Sequence, residues 1–241
     1  MDLVLIALLT LFASGAGTLT GFGTSTIMVP VMVSFFTLSE TLLFVGIIHW
    51  FGNLWKMALF REGLRWGLIV KFGVPGILAT IAGGLLVFQV SETILSRVLG
   101  AALLAYVVFI TVKTRFKIPE ATSTAIAGGT LYGFSAGIFG IGGAVRGAFL
   151  SAFDLPKSVY IATAGAIGLA VDSGRLATYW SEGAELGSRL GWGLLLFIPV
   201  SFVGAKIAER IVQRIPQERF RLVIAAFLCL VGLKLLLFPP S

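Results

Sequence analysis

Ten apolar segments divide this chain of 241 residues, at roughly 3–17, 24–36, 41–60, 67–88, 94–112, 122–139, 143–153, 158–179, 190–211 and 219–238. The second and the seventh are too short to cross a bilayer. At about 1.5 Å per residue they reach roughly 20 Å and 16 Å, against a hydrocarbon core of about 30 Å. Each follows or overlaps a glycine-rich stretch, GAGTLTGFGTSTIMVP at 15–30 and GFSAGIFGIGGAVRG at 133–147. Glycine weakens a helix interior, and broken backbone at membrane depth is tolerated only where it is buried in protein or lines a cavity. Each short segment is therefore expected to pair with its predecessor as a helical hairpin that dips into the membrane. Two such breaks at matching places suit a substrate site built from half-helix ends.

Composition supports a chain built for lipid. It is 57% hydrophobic and 12% charged, where a soluble domain carries about 25% charged residues, and its mean hydropathy is +1.00. No alternating ten-residue pattern suggests a β-barrel, so the expected class is an all-α polytopic membrane protein in the lipid bilayer. The net charge of +7 comes from Lys and Arg in short loops, where they set orientation. No basic run is interleaved with aromatics, which argues against a nucleic-acid partner. Cys229 is the single cysteine and His49 the single histidine, so an intrachain disulfide and a zinc site of ordinary type are both excluded. No P-loop, H-E-x-x-H or dinucleotide fingerprint is present, and no cofactor or metal is expected. The first 17 residues have small residues after an apolar run, but Asp2 precedes them and no Lys or Arg occurs before Lys56. They read as a retained membrane segment rather than a signal peptide.

The halves resemble each other at a shift near 120 residues. Gly17 and Gly23 match Gly137 and Gly143, and residues 36–41 (FTLSET) parallel 153–158 (FDLPKS). Residues 53–58 (NLWKMA) parallel 172–177 (DSGRLA), Glu62-Gly63 matches Glu182-Gly183, and Pro75 matches Pro199. This divides the chain into a first membrane repeat at 1–112, a linker at 113–121 and a second repeat at 122–241. Charge distinguishes the equivalent loops. Arg61 and Arg65 follow the third segment, where the counterpart holds Glu182 and Glu185. The last loop is bracketed by Lys206, Arg210, Arg214, Arg219 and Arg221, where the first-half counterpart has Glu92. By the positive-inside rule these loops lie on opposite sides, so the repeats are expected to be inverted. Both termini then face outside, and the linker, with Lys113, Arg115 and Lys117, faces the cytoplasm.

The candidate site lies at the two hairpin tips. Gly17, Thr18, Thr20, Gly21, Gly23, Thr24, Ser25 and Thr26 supply hydroxyls and permissive backbone at one, and Gly137, Gly140, Gly142, Gly143 and Arg146 form the other. Small residues also serve close helix packing. A short helix opening at each turn would in addition present free N–H groups and a positive dipole end to an anion. Arg146 costs about 2.5–3.5 kcal/mol at mid-membrane, so it faces a partner or a watery cavity. Its planar fork suits a carboxylate, sulfonate or phosphate, and an ion pair with Asp172 is the structural alternative. Asp172 and Arg175 share a helix face three apart, as a local ion pair or as groups for coupling or gating. His49 and Asn53 share a face four apart on the equivalent first-half segment, which also carries Lys56. His49 is read as a cavity or packing residue, or as a proton relay. Trp66, Trp180 and Trp192 near segment ends read as interfacial anchors. Residues 133–137 match the G-x-S-x-G nucleophile elbow around Ser135, but that pattern needs a preceding strand. An intramembrane serine hydrolase pairing Ser135 with His49 is thus a distant alternative.

At these residues the chain resembles the TauE/SafE family of sulfite and organosulfonate exporters over nearly its whole length. The duplicated build, a glycine-rich turn opening each half, and Val29-Pro30 after the first turn carry the resemblance. Thr20 and Phe22 interrupt the first set of glycines. The second copy has Leu150 where the proline would fall, and Arg146 stands outside a family-wide pattern. The resemblance implies outward transport of small sulfur-containing anions, such as sulfite or sulfoacetate, across the cytoplasmic membrane. The expectation is a secondary transporter working by alternating access. Gly17, Thr20, Gly21, Gly23, Thr24, Ser25, Thr26, Asn53, Gly140, Gly142, Gly143 and Arg146 would bind the substrate, and His49, Asp172 and Arg175 would serve coupling or gating. A passive anion channel is the rival. The sequence leaves open the substrate, the direction, a coupling proton or sodium ion, and a homo-oligomeric state.

Overall fold

A computed structural model describes residues 2–20, 23–112, 119–211, 226, 228–230 and 232–239. Nine α-helices of eight or more residues stand among them: α1 Leu3–Thr20, α2 Ser25–Met32, α3 Leu38–Leu59, α4 Trp66–Val87, α5 Glu92–Val112, α6 Thr122–Phe139, α7 Gly143–Leu150, α8 Lys157–Ser181 and α9 Ser188–Ile211. A 3-10 turn, Ser151–Phe153, follows α7. Residues 232–237 are helical, and no strand occurs among the described residues. Most of the expected linker, 113–118, lies outside them. The helices fall on the apolar segments within a few residues. With eight residues each, α2 and α7 reach about 12 Å, well short of a bilayer core.

Local chemistry marks the ends. Thr37 caps α3, its hydroxyl accepting from the Glu40 backbone N–H at 3.3 Å, a Ser/Thr-x-x-Glu start. Gly63 and Gly183, matched in the two halves, both have left-handed backbone after α3 and α8, at φ +135° and +84°. Three helices, α3, α4 and α9, are long and apolar enough to cross a membrane. Large apolar side chains point outward, among them Leu8 and Phe12 on α1, Val74 and Leu78 on α4, and Leu195 and Val203 on α9. In a soluble protein such faces would be buried; here they suit hydrocarbon. Trp66, Trp180 and Trp192, at helix ends, are 67%, 78% and 77% exposed.

Packing sorts the helices into two bundles that do not follow the two halves of the sequence. In one, α1 packs on α9, α3 and α2, and α3 packs on α9; in the other, α6 packs on α4, α7 and α8, and α8 packs on α4 and α7. The second is bound by a glycine seam. A Cβ on Gly129, Gly133 or Gly137 would lie 2.1, 2.0 or 2.3 Å from the carbonyl oxygens of Phe72, Gly76 and Thr80. The paired numbers rise together, so α4 and α6 run parallel at backbone contact, the close approach that small residues permit in membranes. The bundles meet along α3 and α8, and where α2 touches α7. Gly46 lies against Leu176, His49 against Asp172, Asn53 against Gly168 and Met57 against Gly165. Numbers rise on one helix as they fall on the other, so α3 and α8 are antiparallel.

Candidate functional site

The seam between α3 and α8 holds the charged interior of the molecule. Asp172 is at its centre and is fully buried. Its Oδ2 accepts from Asn53 Nδ2 at 2.7 Å and lies 2.8 Å from His49 Nδ1. Its Oδ1 stands 2.8 Å from Arg175 Nε, a contact that is ionic rather than aligned as a hydrogen bond. The i,i+3 spacing that put Asp172 and Arg175 on one face thus produces an ion pair. Asp172 thus pairs with both Arg175 and His49.

From Asp172 the cluster reaches both hairpin tips. His49 Nε2 lies beside Gly23, where a Cβ would come within 2.3 Å of it. Gly23 has φ +88°, so this turn needs glycine both for its backbone and for the imidazole against it. The Gly23 N–H donates to the Gly17 carbonyl at 3.2 Å, which folds α2 back against the end of α1. On the other side, Arg175 Nη1 donates to the Gly140 carbonyl at 3.1 Å. Gly140, left-handed at φ +66°, ends α6, and Gly142 precedes α7. The Tyr179 hydroxyl donates to the Gly137 carbonyl. One carboxylate is therefore linked through His49 to the first break and through Arg175 to the second.

Arg146 enters this seam from α7 and is fully buried. Its guanidinium packs over the Tyr132 ring, 5.1 Å from the centroid, and its Nη1 donates to the Tyr132 hydroxyl at 3.3 Å. Gly168 makes room for it: a Cβ there would lie 2.5 Å from both Arg146 Nη1 and Asn53 Nδ2. Lys56, 1% exposed, donates from Nζ to Asn53 Oδ1 at 3.2 Å. Asn53 thus spans Asp172 and Lys56.

The fold brings together His49, Asn53, Arg146, Asp172 and Arg175 with Gly17, Gly23 and Gly140 at the tips. Thr24, Ser25 and Thr26 are buried on the short first-half helix or just before it. Thr26 lines a cavity with Gly142, Val145 and Ser135, away from Asp172. Gly143 begins α7. Gly21 lies outside the described residues, as does the side chain of Thr20, the last residue of α1. Ser135 sits inside a helix rather than on a strand-to-helix elbow, and His49 directs Nδ1 to Asp172. Sequence reasoning left Lys56, Tyr132, Gly168 and Tyr179 out of the site. The insertion cost that singled out Arg146 applies equally to Lys56 and marks it. The tyrosines and Gly168 carry no such signal, since apolar helices use both for packing.

Apolar faces turned outward, two half-length helices and a buried, charged seam define a helical membrane protein with a charged interior. The chain matches the profile of the Sulfite exporter TauE/SafE family over residues 6–235, and it belongs to that family of membrane transporters, which are not enzymes. No curated protein matches the chain.

Proposed function

We propose that the chain is a secondary exporter of small sulfur-containing or organic anions, such as sulfite or sulfoacetate, across the cytoplasmic membrane. The anion is held at the opening of the half-helices and by Arg146. The observation that carries this reading is the position of Arg146. A guanidinium on a half-length helix, buried at the seam where the bundles meet, is costly in lipid unless its charge has a use. Arginine suits a planar oxyanion, and the start of α7 adds a positive dipole end. His49, Asp172 and Arg175 join the two breaks and act as the gate between access states. The sealed seam, with His49, Asn53, Lys56, Arg146, Asp172 and Arg175 each at most 2% exposed, favours alternating access over an open anion channel.

Counterflow in proteoliposomes tests this. Vesicles preloaded with unlabelled sulfoacetate or sulfite should accumulate external label transiently, which an open pore cannot do. Arg146→Ala should insert and fold but lose accumulation, and Arg146→Lys should retain a weakened response. Wild-type accumulation by Arg146→Ala would remove Arg146 from the substrate site.

The repeats are inverted in this reading. The antiparallel course of α3 and α8, which hold the same rank in the two halves, supports it together with the loop charges. With both termini outside and 113–121 in the cytoplasm, Lys117→Cys in a Cys229→Ala background should resist an impermeant maleimide in intact cells. Labelling at the rate of an external control would reverse that topology.

A further inference from the structure

Away from the seam, a second cavity of about 460 Å³ lies where the parallel helices α4 and α6 begin side by side. Arg65, Trp66, Leu68, Lys71, Glu120 and Phe153 line it. Leu68 and Phe153 are buried, whereas Arg65, Trp66, Lys71 and Glu120 are exposed. The cavity thus has an apolar wall and a charged rim. Lys71 Nζ donates to Thr122 Oγ1 at 2.9 Å, which ties the start of α4 to the start of α6 with one of the three donors of an ammonium group. Among the described residues, Arg65, Lys71 and Glu120 form no ion pair.

The surroundings put this cavity at headgroup level. Trp66, 67% exposed, opens a helix long and apolar enough to cross a membrane, and an exposed indole at a helix end marks the interface. Lys71 stands five residues along α4, about 7.5 Å further in, where an ammonium on a long stem reaches back to the headgroups. Val70, Val74 and Leu78 continue from Trp66 at four-residue spacing and are 58%, 54% and 67% exposed. Ile126, one turn after Thr122 on α6, is 47% exposed. An apolar stripe therefore runs from the charged rim down the outside of the helix pair. A ligand with one anionic end and a long apolar end uses both features, whereas a small soluble anion uses the rim alone.

We propose that this cavity holds the headgroup of an anionic phospholipid, in the leaflet from which α4 and α6 start. Arg65 and Lys71 oppose the phosphate, and the acyl chains lie along Val70, Val74 and Leu78. The two cations outweigh Glu120, which leaves +1 at the rim and matches the single net charge of a phosphatidylglycerol better than a headgroup of no net charge. Basic pockets between transmembrane helices recognise anionic headgroups in this way. The site is separate from the α3–α8 seam and stands whatever anion is transported there.

The test is thermal shift on the purified full chain in detergent with three probes: dioctanoyl phosphatidylglycerol, dioctanoyl phosphatidylcholine and glycerol 3-phosphate. The first should raise the melting temperature saturably, and the other two should do so far less. Arg65→Gln and Lys71→Gln should each weaken the half-saturation point about fivefold, the worth of one cation beside an anionic lipid. Glu120→Gln should strengthen it. Arg210→Gln, which removes an exposed arginine that does not line the cavity, should leave it unchanged. Equal stabilisation by the two lipids would overturn the proposal. So would equal weakening by Arg210→Gln and Lys71→Gln, which would mean diffuse attraction to the whole surface. Glycerol 3-phosphate acting as well as the lipid, and depending on Lys71, would also overturn it and make the cavity an aqueous entrance for anions. The wild-type comparison of the three probes decides the matter even where a variant does not fold.

Discussion

At the scale of single residues, the seam is organised around one buried carboxylate, Asp172. Asp172 has its oxygens engaged by Asn53, His49 and Arg175, so its removal leaves Arg175 as a buried charge without its partner. Breaking one side of a buried pair typically costs about 3–5 kcal/mol, whereas removing both sides is often tolerated. Asp172→Asn should therefore lower the detergent melting temperature strongly, and adding Arg175→Gln should recover much of it. Pairing Asp172→Asn with Arg146→Ala should give no such rescue; rescue there and not with Arg175→Gln would redraw the ion pair. Sequence reading reached this cluster in part. Spacing put Asp172 beside Arg175 and His49 beside Asn53, because both relations are local to one helix. That His49 and Asn53 meet Asp172 across the molecule depends on helix packing, which no local spacing encodes, and Lys56 and Tyr132 entered the site by the same route.

Among the elements, the two interrupted hairpins were legible because length and glycine content both report on a helix that stops early. Of the eight longer apolar segments, the seven that end before residue 212 stand as helices and were equally legible from hydropathy. What glycine does inside an unbroken helix was not. Gly129, Gly133 and Gly137 occur at four-residue spacing in α6, and only the fold shows that they bring the backbone of α4 into contact. Gly73 on α4 has open space around its Cβ position, while Gly133 would drive a methyl group to 2.0 Å from the Gly76 carbonyl oxygen. Gly133→Ala must therefore part the two helices, at the roughly 1–3 kcal/mol that overpacking costs or more. Its melting temperature should fall, and that of Gly73→Ala should hold or rise slightly, since alanine is the better helix former. Equal melting of the two variants would mean that α4 and α6 have slack between them.

The whole molecule is cut differently from its sequence. Repeats predicted from residue matches suggest halves that rock as units, as many transporters built from repeats do. Yet α9 of the second half packs with α1 and α3, and α4 of the first half packs with α6 and α8. Sequence halves so interlocked do not make separate rigid units; under the alternating-access reading proposed above, the two mixed bundles would part along α3 and α8. That boundary holds every buried charge described above, so parting it would open the seam to water and substrate. Two disulfides distinguish this motion from the alternatives in a Cys229→Ala background. Gly165 and Met57 face each other across the boundary, with a Cβ position 3.4 Å from the Met57 Cγ, and Gly174 and Ile77 face each other inside one bundle at the same 3.4 Å. Each contact puts the two Cβ positions at most about 5 Å apart, near the upper limit of disulfide reach. Oxidised Met57→Cys/Gly165→Cys should bring counterflow down to the level of empty vesicles and recover on reduction, because the bundles are then tied at their crossing. Oxidised Ile77→Cys/Gly174→Cys should transport at its reduced rate, because that bond joins helices that move together. If the first cross-link formed fully and counterflow continued, the bundles would not part along α3 and α8, and the moving parts would have to be the short helices α2 and α7 on a fixed frame.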